Sequence, residues 1–340
     1  MIEHLGLNYL RRAMAKLPGK VKEQTALSWP VDPQPKQKRA VVISNCQCFP
    51  LAAWLTVLSA DKVFDFWGVH VIDPTQRENA IKAFVDKAKI EYDLIISIPL
   101  SEDFLGLSSE HIADTFSGIP VILVSNIYFA GFHPDQTYIG GLNQRVAGPL
   151  GDAHSKLAIH GFMTGQTVDQ TLRLFCSETY EKLGYFNEFV LSFNELTKRD
   201  AIVDVPVTRY LKETLKTNLC FYSFNHPTSL VFSVYAAGII QHLASLGLAQ
   251  PSNLPADESL CAENLAANII FPVYPEIAAY HHVPHIGSYA FKPVGPWVNP
   301  IDLRRFLTLE FEAFENVGRE TLALSHAAQN IAHQFTVLSA

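Results

Sequence analysis

The sequence predicts an α/β protein with a parallel sheet flanked by helices, continued by a mostly helical C-terminal part. Three observations carry that prediction. Short, unbroken apolar runs alternate with longer amphipathic segments between Arg39 and Val124. Those runs lack the polar alternation of a half-exposed strand, so they suit strands buried on both faces of a parallel sheet. Beyond Gly151 the punctuation changes to helix caps, with Thr167 and Gln170 at capping-box spacing and Gly184 and Gly247 at helix ends.

Taken in order, residues 1–38 read as an amphipathic helix and an extended, proline-spaced connector, Trp29-Pro30-Val31-Asp32-Pro33. Ala40-Val41-Val42-Ile43 is the first strand, and Leu51 to Ser59 the first core helix. Val63 to Ile72 is a second strand, followed by a helix from Pro74 to Lys89 with proline in its first turn. Asp93 to Ile98 and Ile119 to Val124 are the third and fourth strands, with a helix from Ser108 to Phe116 between them. Such alternation implies right-handed crossovers and a doubly wound core of the flavodoxin-like or SGNH-like kind. One helix is expected from Thr167 to Leu183. A candidate fifth strand, Leu219 to Phe224, precedes a helix from Thr228 to Leu246, and a last helix spans Leu303 to Ala332. The expected divisions are 1–38, a catalytic domain over 39–250, and a helical extension over 251–340 packed on the core.

Composition narrows the function. The 340 residues carry a net charge of −7 without a concentrated basic patch, which argues against a nucleic-acid partner. No run approaches the roughly 20 apolar residues of a membrane span, and no signal peptide is read at the N-terminus, so a cytoplasmic location is expected. Five cysteines, odd in number and mostly far apart, suit a reducing compartment better than a disulfide framework. Dinucleotide, Walker and nucleophile-elbow motifs are absent. The His281-His282 pair lies beside a proline with no carboxylate or cysteine at ligand spacing, and no metal is expected.

Chemistry concentrates at Ser44-Asn45-Cys46-Gln47, between the first strand and the first helix. Ligands of open parallel sheets bind outside the carboxyl ends of the strands, and a helix start stabilises thiolate. Cys46 is therefore the candidate nucleophile, with Asn45 and Gln47 as amide donors for an oxyanion; the competing reading is a buried packing cysteine. His133, with Asp135 two residues on, follows the fourth strand and is a candidate base. His154 at a helix start and His226 in Asn225-His226-Pro227 are the other two, and the residues do not rank the three. Arg145 and Lys156 are candidates for an anionic ligand, as is Asn225 for general ligand contact.

These segments, in order, resemble the WcbI-like family of polysaccharide-biosynthesis acetyltransferases associated with bacterial capsules. The resemblance rests on Ser44-Asn45-Cys46-Gln47, Asn126 to Phe129 through Phe132-His133-Pro134-Asp135, and Asp152-Ala153-His154-Ser155. It continues through Gly165-Gln166-Thr167-Val168, Leu174-Phe175, Leu183-Gly184-Tyr185 and Asn225-His226-Pro227. It covers Val41 to Gly247. It implies coenzyme A or acetyl-coenzyme A as co-substrate, acetyl transfer to a sugar hydroxyl, and a site centred on Cys46. Where the family typically has glycine, this chain has Ser44, whose Cβ restricts the turn if positive φ is needed there. The same crevice with water as acceptor makes an esterase. A third expectation is a non-enzymatic polysaccharide-assembly protein that keeps the fold alone.

Overall fold

Four strands, β1 (Lys38–Ser44), β2 (Phe64–His70), β3 (Leu94–Ser97) and β4 (Val121–Leu123), form one parallel sheet in the order β2-β1-β3-β4. Val42 of β1 pairs with Gly68 on one side and Ile96 on the other, so the run Ala40 to Ile43 is central and wholly buried. The chain leaves β1 to opposite sides at β2 and β3. A reversal of that kind opens a crevice outside the carboxyl ends of the strands. The computed structural model describes residues 38–59, 64–72, 74–85, 92–104, 106–141, 145–253, 260–261, 265–266, 268–284, 287–295 and 298–338. The helix and connector expected over residues 1–38 lie outside the described residues, except for Lys38.

The crossover helices are α1 (Cys48–Leu58), α2 (Pro74–Val85) and α3 (Ser109–Thr115). Ser108 caps α3 by accepting a hydrogen bond from the His111 amide. Beyond the sheet, β5 (Gln136–Tyr138) and β6 (Ala153–Ser155) pair antiparallel and lead into α4 (Lys156–Met163), which Ser155 caps. The helix expected from Thr167 to Leu183 is two short ones, α5 (Val168–Leu172) and α6 (Ser177–Lys182). The capping box of Thr167 and Gln170 forms, but Cys176 adopts an extended backbone and restarts the helix. Between the two helices Phe175 is buried against Tyr274.

Next come α7 (Glu188–Asp200), α8 (Thr208–Thr214), β7 (Phe221–Ser223), β8 (His226–Pro227) and α9 (Ser229–Ser245). The segment expected as a fifth strand contains β7, which does not join the parallel sheet. It folds back on β8, and the Tyr222 carbonyl beside that pairing accepts the Phe271 amide, 2.8 Å. The last elements are α10 (Pro275–His281), α11 (Leu303–Val317), α12 (Arg319–Ala323) and α13 (His326–Gln334). Gly318, at φ 85°, ends α11 and divides the single helix expected from Leu303 to Ala332. Phe311 and Phe314 of α11 pack edge-on against Phe162 of α4, ring centroids 5.5 Å apart. Trp54 of α1 donates to Ser229 of α9, 2.9 Å, tying those two helices together.

Candidate active site at the carboxyl edge of the sheet

The turn that ends β1 is held by its own polar groups. The Asn45 carbonyl accepts the Cys48 amide at 3.0 Å, and Asn45 Oδ1 accepts the Gln47 amide at 3.0 Å. Among the described non-glycine residues only His282 has positive φ, so Ser44 takes its place in the turn without backbone strain. Cys46 is left half-buried on the wall of a cavity of about 310 Å³.

Five of the residues singled out from the sequence meet on that cavity: Asn45, Cys46, Arg145, Asn225 and His226. Sequence reasoning missed His70, Tyr138 and Asp152 on the same walls. His70 was within reach of the rule that selected Cys46. It ends β2 in register with Ser44, at the same edge of the sheet. A third wall, with Asn268, Ile269 and Val294, comes from beyond Pro251, where no periodic pattern marked it.

The electrostatics of the site follow from desolvation. Burial pushes the Cys46 thiol up to about 12; its own backbone amide opposes this and the Asp152 carboxylate adds to it. The helix start therefore does not produce the thiolate expected from the sequence. Cys46 precedes the helix cap, and the neighbouring Gln47 amide is already taken by Asn45 Oδ1. Burial likewise lowers His226 to about 4, so its imidazole is neutral at pH 7. Its Nδ1 is buried without a hydrogen-bond partner. The Arg145 guanidinium lies 3.7 Å over the Tyr138 ring, and its Nη1 is 3.9 Å from Asp152. Nε and Nη1 of Arg145 make no hydrogen bond, leaving charged donors that an anionic or carbonyl oxygen would satisfy.

Four other candidates are placed elsewhere. Gln47 is buried, and its amide is spent on the carbonyls of Ile127 and Asn225 at 2.6 and 2.9 Å, so it has no donor for an oxyanion. His133 is sealed in the interior with Nε2 3.3 Å from the Phe221 carbonyl, and burial lowers its pKa to about 4. Asp135 does not orient it. That carboxylate accepts hydrogen bonds from Ser155, Tyr185, Tyr274 and the Leu157 amide. His154 is fully buried between Glu310 of α11, 3.1 Å from Nδ1, and the Val146 carbonyl, 3.0 Å from Nε2. Lys156 donates to the Pro134 carbonyl at 2.6 Å and does not line this cavity. Among the described residues no cluster of His, Cys, Asp and Glu is arranged to hold a metal. No described helix is long and apolar enough to cross a membrane.

A cysteine and an imidazole on one largely apolar cavity, outside the strand ends of a parallel sheet, define the class: an α/β enzyme with its cleft at a topological switch point. Within that class, residues 39–249 match the family of the polysaccharide biosynthesis enzyme WcbI, and the chain belongs to that family. A solved structure of WcbI is similar with a TM-score of 0.69 at 18% identity, covering 89% of this chain and 99% of that one. That structure is described as a novel polysaccharide biosynthesis enzyme, in its native form without a disulfide bond between coenzyme A and a cysteine. At this identity the likeness concerns the fold, which extends beyond the family-matched segment. No curated protein matches the chain.

Proposed function

We propose that the protein transfers an acyl group, acetyl in the simplest case, from a coenzyme A thioester to a sugar hydroxyl during polysaccharide biosynthesis. The observation that carries this reading is that Cys46 and a neutral His226 line one cavity with the unsatisfied donors of Arg145. Its volume lies at the lower end of ordinary ligand pockets, which suits the thioester end of the coenzyme and part of a sugar. The description of the WcbI structure in terms of coenzyme A and a cysteine supports Cys46 as the thiol nearest the bound sulfur.

In this reading His226 accepts the proton of the acceptor hydroxyl as its oxygen attacks the thioester carbonyl. The amides of Asn45 and Asn225, with Arg145, supply donors for the tetrahedral oxyanion or the coenzyme's phosphates. Collapse breaks the carbon–sulfur bond, and His226 returns its proton to the departing thiolate. The new ester bond and the free thiol balance the step. A thiol held protonated is a poor nucleophile, so Cys46 seats the thioester sulfur and transfer is direct, without an acyl-cysteine.

The test is release of coenzyme A thiol from acetyl-coenzyme A, with and without sugar acceptors. His226→Ala is expected to lower kcat by about 10²–10⁴-fold. Unchanged turnover in that variant removes the imidazole from the reaction. Thiol release equal with and without acceptor shows a hydrolase instead.

A further inference from the structure

Both neighbours of Cys46 fasten to other loops. Asn45 donates Nδ2 to Asn126 Oδ1 at 3.1 Å, across the sheet edge. Gln47 does more. Its Nε2 donates to the carbonyls of Ile127 and Asn225, and its Oε1 accepts the Ile127 amide at 3.3 Å. The side chain is 2% exposed, so water does not replace these partners. A carboxamide buried so deeply is retained only if its donors and acceptor are met, and here all are met by backbone groups of two other loops. One of those loops follows β4. The other is the β7–β8 turn, where Asn225 immediately precedes His226. The residue after the thiol is therefore bonded to the residue before the imidazole.

We infer that Gln47 is the positioning residue that fixes Cys46 and His226 across the cavity, without touching substrate. The inference rests on the proposed acyl transfer for its kinetic consequence, because a displacement of about 1 Å at a reacting pair can cost 10²-fold in rate. Its geometric content is independent of the reaction.

Two substitutions separate the roles. Gln47→Met keeps length and removes all three side-chain bonds. Gln47→Glu keeps shape and donates only while its acid is protonated. Trp54→Phe is the control, since it removes a buried hydrogen bond between α1 and α9 away from the cavity. With acetyl-coenzyme A, both Gln47 variants should lose about 10²-fold in kcat with KM changed by no more than about twofold. Alkylation of Cys46 by iodoacetamide at fixed pH should quicken about tenfold as its segment opens locally. Lowering the pH should restore Gln47→Glu and not Gln47→Met. Trp54→Phe should match the unsubstituted protein in both readouts.

Equal kcat and alkylation rates in Gln47→Met and Trp54→Phe overturn the assignment. If Gln47→Met does not fold, absence of acid rescue in Gln47→Glu overturns it. Should the unsubstituted protein fail to use acetyl-coenzyme A, the acyl-transfer reading falls, and the alkylation comparison alone still decides whether Gln47 holds the thiol in place.

Discussion

At the scale of single residues, the competition is between a helix start, which favours thiolate, and burial, which opposes it. Burial prevails at Cys46, because the Gln47 amide is engaged by Asn45 and the sulfur sits against an apolar floor. Its alkylation near pH 7.5 is thus expected to be about 10³-fold slower than that of an ordinary free thiol near 8.5. The rate should climb with pH through 9 without levelling. A plateau near pH 8 in rates followed by mass spectrometry would show a stabilised thiolate and contradict this. Asn45 and Gln47 show how far residue type alone can be read. The sequence marks both as amides beside a cysteine. It does not record that the backbone of distant loops consumes Gln47, since Ile127 and Asn225 lie 80 and 178 positions away.

At the scale of elements, His154 joins β6 to α11. Both of its nitrogens face acceptors, Glu310 and the Val146 carbonyl, which suits the doubly protonated ring. Burial disfavours that charge, but Glu310 and the Val146 carbonyl outweigh it and the pKa is raised. The stabilisation is therefore fully present below the unfolded value of about 6.5 and is lost as pH rises through the higher folded value. Urea unfolding across that window should show stability falling with pH, and Glu310→Ala should abolish the slope. The same substitution breaks a buried pair, leaving the imidazole to give up its proton, and should cost about 3–5 kcal/mol at a pH below the unfolded value. A loss below 1 kcal/mol would refute the pairing. Gly148→Ala should also destabilise, since a Cβ there would lie 2.7 Å from Glu310 Oε1 and 2.8 Å from His154 Cε1. Histidine at a helix start looks the same in sequence whether it meets substrate or a carboxylate 156 positions on.

At the scale of the molecule, the parallel sheet was legible because burial on both faces writes itself as uninterrupted apolar runs, as in Ala40 to Ile43. The site was legible where it obeys the strand-end rule, at Asn45 and Cys46, and the same rule applied to β2 yields His70. It was illegible at Asn268, Ile269 and Val294, which stand in loops with no period. Coenzyme A is expected to raise the unfolding temperature, since a ligand held only by the folded state adds about 2.7 kcal/mol at a hundred times its Kd. Arg145→Ala should diminish that shift in calorimetry; an undiminished shift would remove Arg145 from the coenzyme's contacts. Part of the cavity wall comes from residues beyond the family-matched segment, and so does the acid that meets His154. A chimera that borrowed its tail from a relative would inherit new furniture along that wall. It would stay folded only if that tail also carried an acid for the imidazole at 154, so the two positions must be inherited as a couple.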